Sequence, residues 1–205
     1  MSSTARTSQT IPTRASTPPS TMESSSRAYS GNGREAGAFR YTLSDGRQVA
    51  IRPVQASDGN MEREMIESLS PDSSRMRFLG GIGRVTQHLM RILTDNDAQH
   101  EAFIALHEDE AGTMHAVGVA NFACDPDGHA CECAVVVADD WQNVGLGKLL
   151  LQELVDAAKA DGLDEIYSIE SASNSAIDHV ARELGFACKA DPHDYTTLRY
   201  SLSLH

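Results

Sequence analysis

The stretch Ala134-Val135-Val136-Val137-Ala138-Asp139-Asp140-Trp141-Gln142-Asn143-Val144-Gly145-Leu146-Gly147-Lys148-Leu149-Leu150 is the part of the chain whose residue types and spacing point most directly to chemistry. Small and β-branched residues lead into a turn bearing two glycines, and Leu146, Leu150, Leu154 and Val155 then recur at helical spacing. A strand that turns straight into a helix leaves the first helical N–H groups without acceptors, aimed at one spot beside the positive end of the helix dipole. Glycines let a ligand approach that backbone closely, so Gly145 and Gly147 mark a site for a pyrophosphate, the anchor of a nucleotide or coenzyme. Gly80-Gly81-Ile82-Gly83 does not compete for that role, because no strand precedes it and no Lys-Ser/Thr follows. A second cluster, His129, Cys131 and Cys133, alternates along one face of a strand, with Cys124 placed to join it across a hairpin. A C-x-C spacing in a strand is not the C-x-x-C knuckle that wraps a tetrahedral metal, and buried thiols are common, so no metal is expected. His88, His100, His107 and His115 form no H-E-x-x-H set.

The elements around these residues follow from periodicity. Residues 39–43 and 49–54 read as a hairpin or first strand around Ser44-Asp45-Gly46. Asp58 is placed as an N-cap for a helix carrying Met61, Met65, Ile66 and Leu69. Ser70-Pro71-Asp72 ends it and opens a second helix toward Phe78, a glycine loop follows at residues 80–83, and residues 86–93 form a short helix. Strands are expected at 101–107, 115–124 and 130–137, then a long helix from about 145 to 160, a strand at 165–170, a helix at 175–184 closed by Gly185, and an antiparallel pair at 186–190 and 196–204. That order defines an α/β (α+β) domain: a mixed, mostly antiparallel central sheet with helices on both faces.

Composition bounds the rest. Residues 1–38 hold 15 Ser or Thr, three prolines and almost no aliphatic side chains, too little apolar surface to offset the entropy of ordering. They read as a disordered tail, with residues 39–205 as the folded domain. Arg6, Arg14, Arg27 and Arg34 against Glu23 and Glu35 give the tail +2 and leave −14 on the domain. Pro12, Pro18 and Pro19 interrupt the amphipathic helix that a transit peptide needs. The overall charge of −12 argues against nucleic acid, whose binders carry basic surfaces, and fits cationic or neutral small partners. No run approaches the roughly 18 apolar residues of a membrane helix, and the N-terminus has no apolar signal core. Four cysteines, unevenly spaced, are too few for a disulfide scaffold, so a cytoplasmic, reducing setting is expected.

Gln142-Asn143-Val144-Gly145-Leu146-Gly147 resembles the Q/R-x-x-G-x-G/A signature of the GCN5-related N-acetyltransferases. It follows a strand and precedes a long helix. Downstream come a strand, Asn174, and a helix ending in Glu183-Leu184-Gly185-Phe186, as in that family's second half. The resemblance spans about residues 47–204. Ile51-Arg52-Pro53, Leu69-Ser70-Pro71 and Cys131-Glu132-Cys133-Ala134-Val135-Val136-Val137 are similar to the acetyltransferase domains of bacterial protein-lysine acetyltransferases, here without the larger or regulatory domains such enzymes often carry. The resemblance implies acetyl-CoA as co-substrate and a primary amine as acceptor, a protein lysine or a small amine. It implies coenzyme contacts at Val135, Val136, Val137, Gln142, Asn143, Val144, Gly145, Leu146, Gly147, Lys148 and Asn174. An amine with a pKa of about 10.4 must lose a proton before it attacks, and the resemblance places the base at Glu132, on the strand face opposite Cys131, Cys133 and Val135. A cross-strand ion pair is the competing role for Glu132, and Glu170 is the second choice of base. A backbone N–H near Val135 to Val137 is placed to polarise the thioester carbonyl, which requires neighbouring strands to splay there. Many members place a Tyr four residues before the Gly-Phe pair to protonate the thiolate. That position is Ala181 here, which leaves water, Tyr195 or His179. A catalytically silent acetyl-CoA sensor, and an interaction protein acting through the tail, are the alternative functions.

Overall fold

The structure, a computed structural model, describes residues 34–35, 37–78, 100–126, 128–190 and 194–205. Among these, nine strands form one sheet. In chain order they are β1 (Arg34–Glu35), β2 (Ala38–Thr42), β3 (Gln48–Pro53), β4 (His100–Glu108), β5 (Met114–Cys124), β6 (Ala130–Val137), β7 (Glu165–Ser171), β8 (Ala187–Ala190) and β9 (Thr197–Ser203). They lie in the order β1-β2-β3-β4-β5-β6-β7-β9-β8. The helices are α1 (Gly59–Ser68), α2 (Pro71–Phe78), α3 (Leu146–Ala160) and α4 (Ser175–Glu183). The expected glycine loop at 80–83 and helix at 86–93 lie outside the described residues, as do residues 1–33 of the expected tail. The sheet reaches back into the end of that tail, since Arg34 and Glu35 pair with Phe39 and Ala38.

Alternation along the strands assigns the two faces. One face packs against α3 and α4. Leu146, Leu149, Leu150, Leu151, Leu154, Val155 and Ala158 of α3 are buried in one cluster with Ile51, Phe103, Phe122, Cys131, Cys133 and Ile166 of the sheet. Each fully buried Leu contributes about 1.5–3 kcal/mol relative to exposure, which fixes α3 against the sheet just behind the glycine turn. A side chain on Gly118 of β5 would place its Cβ 2.8 Å from Leu150 Cδ1 and 3.3 Å from the Val136 carbonyl, so it would force the buried Leu150 to shift. The other face carries α1, with Met65 and Ile66 buried against Ile104, Val119 and Val136.

Two sequence expectations change. Asp58 occupies the N-cap position of α1, yet its carboxylate does not cap the helix. It accepts from the Gln55 amide at 2.8 Å and forms a two-pronged ion pair with Arg52, at 2.6 and 2.8 Å. The alternatives open to an Asp at a helix start are its own helix amides or a cation, and the half-buried Arg52 on β3 wins. Cys124 and Cys131, directly opposite each other in the β5–β6 register, form a disulfide. The uneven spacing in sequence concealed the pairing, because a hairpin turn brings residues seven apart face to face.

Every adjacent strand pair is antiparallel except β6 and β7, which run parallel and pair only through Ala130 with Glu165, Cys131 with Ile166 and Glu132 with Tyr167. Past that point β6 stays with β5 and β7 stays with β9. Residues 133–137 and 168–171 therefore diverge, and a wedge opens in the middle of the sheet.

Candidate active site

The glycine turn sits at the wide end of the wedge, and three different causes shape it. A single helical turn at Asp139–Trp141 ends β6. Asn143 then adopts φ 59° and Gly145 φ 93°, the left-handed conformations that swing the chain into α3. Gly145 offers no side-chain cap to the first N–H groups of α3. A Cβ at Gly147 would meet only Val137 Cγ2, at an ordinary 3.7 Å. The protein's own packing thus does not demand glycine at 147, whereas the backbone demands it at 145.

Contacts from distant parts of the chain hold the turn rigid. Asp139 accepts hydrogen bonds from the Ser70 amide at 2.8 Å, the Ser70 hydroxyl at 2.9 Å and the Ser73 hydroxyl at 2.5 Å. These donors, the Ser73 hydroxyl first, hold its carboxyl below the usual range. Gln142 donates to Ser73 Oγ at 3.0 Å and to the Val137 carbonyl at 3.2 Å, so its side chain braces the turn. From the other side Ser44 donates to the Val144 carbonyl, and the Arg47 guanidinium lies 3.8 Å over the Trp141 ring while bonding the Asp140 carbonyl at 2.9 Å. Lys148 pairs with Glu183 of α4 at 2.6 Å, tying α3 to α4. Sequence reading missed Asp139, Ser70, Ser73 and Arg47, for which no local motif exists: the Ser70–Asp139 link spans 69 residues.

Glu132 is exposed and occupies the last β6–β7 pair before the strands part. Its direct register partners are Ala123 on β5 and Tyr167 on β7, and among the described residues neither is a cation. Tyr167 donates to Asp125 at 2.9 Å, and Arg199 lies 3.4 Å over its ring while paired with Glu165 at 2.5 Å. Burial first, then Asp125 and the charge of Glu132, push the Tyr167 phenol above its ordinary value.

The opposite face of the wedge holds a small pocket whose lining includes Cys133, Val135, Ser168, Glu170, Ala181 and Tyr200. Ser168 donates to Glu170 Oε1 at 2.5 Å, and Asn174, where β7 gives way to α4, donates to Glu170 Oε2 at 3.0 Å. Glu170 and Glu132 are thus on opposite faces of the sheet. Ala181 is buried in the pocket wall. The two alternative acids lie elsewhere: Tyr195 is 83% exposed, and His179 points to Glu183 at 3.3 Å.

The profile of the acetyltransferase (GNAT) family matches residues 64–186. An acetyltransferase of Pseudomonas aeruginosa is 38% identical over 187 residues, covering 90% of this chain and all of its own length. Among solved structures, the GNAT domain of Streptomyces lividans PAT superposes with a TM-score of 0.72 at 17% identity, over 84% of this chain and 99% of that one. RimL, a ribosomal L7/L12 alpha-N-protein acetyltransferase in complex with coenzyme A, superposes with a TM-score of 0.57 at 15% identity, over 76% and 93%. A strand wedge closed behind by a glycine turn and a long helix is the frame of an acyl-CoA acyltransferase. The chain belongs to the GNAT family and is an acetyltransferase.

Proposed function

We propose that this enzyme moves an acetyl group from acetyl-CoA to a primary amine, a protein lysine or a small amine, by direct attack, with Glu132 as general base. The observation that carries the reading is the position of Glu132: an exposed carboxylate at the apex of the wedge, on the face away from α3 and α4, with no cation directly opposite. The residues fit the coenzyme. The uncapped start of α3 at Gly145 to Lys148 offers N–H groups to the pyrophosphate, and the open side of Gly147 leaves it room. The unpaired edge of β6 at Val135 to Val137 offers main-chain groups to the pantetheine arm and to the thioester oxygen. Bound there, acetyl-CoA supplies an activated acyl carbon. The chain supplies the rest: the anchor fixes the donor, and Glu132 takes the proton that the attacking nitrogen must shed.

Glu132→Gln keeps the shape and removes the basicity. CoA release should fall about 100- to 10,000-fold near neutral pH with acetyl-CoA affinity unchanged, and the loss should shrink as rising pH supplies neutral amine. Turnover equal to wild type across the pH range, measured per folded molecule, removes Glu132 from this role.

A further inference from the structure

Glu132 has a hydrogen-bond donor beside it that the reaction does not use. Tyr167 is its register partner in the last β6–β7 pair, so the two side chains leave the sheet on the same face, one strand apart. The phenol reaches back past β6. It donates to Asp125 Oδ1 at 2.9 Å, and Asp125 follows β5, where its amide donates to the Ala130 carbonyl at 2.7 Å. Arg199 on β9 covers the tyrosine ring, 3.4 Å from its centroid, and is held there by Glu165 at 2.5 Å. The ring is buried, and its plane and its hydroxyl are both fixed.

A phenol that donated to Glu132 would stabilise the ionised form of that carboxyl and take basicity from the group that must collect the amine's proton. Asp125 gives the phenol a different acceptor. Burial first, then the hydrogen bond and charge of Asp125 and the charge of Glu132, push the phenol above its ordinary value, so it lies in the field of both carboxylates. The Cys124–Cys131 disulfide joins the residue just before Asp125 to the residue just before Glu132, which carries the two carboxylates on one cross-linked frame. Among the described residues, the other charged or titratable groups that register and alternation place on this face are Glu165 on β7, Arg199 on β9, Lys189 opposite Arg199 on β8, and His100 on β4, separated from Glu132 by Ala123.

We propose that Asp125 is a positioning residue for the reaction: by holding the Tyr167 phenol it keeps that donor off Glu132 and leaves the carboxylate free to take the amine's proton. The proposal rests on the reading of Glu132 as base. Asp125 acts through Tyr167 alone, so its loss matters only while the phenol is present. Without Asp125 the phenol turns to Glu132, and without the phenol there is nothing to turn.

The test compares wild type with Asp125→Ala, with the same variant carrying Tyr167→Phe as well, and with Asp125→Asn, which loses the charge but still accepts from the phenol. In protein with isotope-labelled glutamate carboxyl carbons, the NMR signal of Glu132 is assigned by its absence from Glu132→Gln. That signal should titrate about one pH unit lower in Asp125→Ala than in wild type, because a hydrogen bond to a carboxylate favours its charged form. Asp125→Asn should move it by less than half as much, and Tyr167→Phe added to Asp125→Ala should return it to the Asp125→Asn position. This arm needs neither acetyl-CoA nor an acceptor. In the second arm n-butylamine, the lysine side chain in miniature, accepts from acetyl-CoA. CoA release per folded molecule near neutral pH should fall about 3- to 10-fold in Asp125→Ala and recover to within about twofold of wild type in the double variant. A purely structural Asp125 would leave the double variant as slow as the single one or slower. Asp125→Ser, too short to reach the phenol and at home in a turn, replaces the alanine variant if that protein does not fold. An unmoved Glu132 titration in Asp125→Ala, or no recovery on adding Tyr167→Phe, overturns the proposal. Full turnover by Glu132→Gln overturns the base reading instead and leaves the titrations as they are.

Discussion

Gly145 and Gly147 are two positions apart, and their substitution separates stability from binding. At Gly145 the left-handed φ of 93° makes any side chain strained, so Gly145→Ala should cost about 1–2 kcal/mol and shift the chain entering α3. Gly147 lies inside α3 with ordinary space for a Cβ, and alanine is the better helix former by up to about 1 kcal/mol. Gly147→Ala should therefore melt no lower than wild type, and higher if anything. Acetyl-CoA at 100 times its dissociation constant should stabilise wild type by about 2.7 kcal/mol, and the same concentration should give Gly147→Ala a much smaller shift. Thermal melts with and without acetyl-CoA read both effects. An undiminished shift in Gly147→Ala means the coenzyme does not approach the backbone there.

At the scale of elements, the ion pair between Arg52 on β3 and Asp58 at the head of α1 couples the sheet to the helix on its other face. Arg52 holds the Asp58 carboxyl below the usual range, so the pair's contribution is fully present above pH 4 or so and is lost as pH falls through the depressed value. Asp58→Asn leaves a largely buried guanidinium without its counter-charge and should destabilise by about 3 kcal/mol at pH 7. The difference from wild type should narrow as pH falls below 4. Denaturant midpoints across pH measure it, and a pH-independent gap contradicts the coupling. Sequence periodicity places both elements, since Met61, Met65, Ile66 and Leu69 recur at helical spacing and Val49 and Ile51 alternate. It does not place the pair, because the rule that an Asp before a helix caps it is local and the competing guanidinium comes from a folded neighbour. The site divides in the same way. The strand–turn–helix of residues 130–160 was legible, being contiguous, and so was the place of Glu132 on its strand. The Asp139 brace was not, as Ser70 and Ser73 reach Asp139 only after α2 is packed beside the end of β6.

At the scale of the whole molecule, the folded body begins earlier than composition indicates. Pairing of Arg34 and Glu35 with β2 makes them the edge of the sheet, while the two described clusters of the core draw on residues from Leu43 onward. Deletion of residues 1–33 should leave CoA release and melting temperature unchanged. Deletion through Ala38 removes β1 and the first residue of β2 and should lower the melting temperature while sparing turnover of the folded enzyme. A large loss of activity on the shorter deletion assigns the N-terminal segment a part in the site or in assembly.

The three-pair junction between β6 and β7 gives the sheet a further property. Where strands are paired on both sides, backbone amides are shielded, and where a strand lacks a partner the amides facing that side are open to solvent. Within residues 133–137 and 168–171 the amides turned toward the wedge should therefore trade hydrogen for deuterium far faster than their neighbours turned toward β5 or β9. Occupancy of the wedge should slow that exchange strand by strand, and the pattern of slowed positions would record how deep the donor's acyl end reaches, in solution and without any acceptor present.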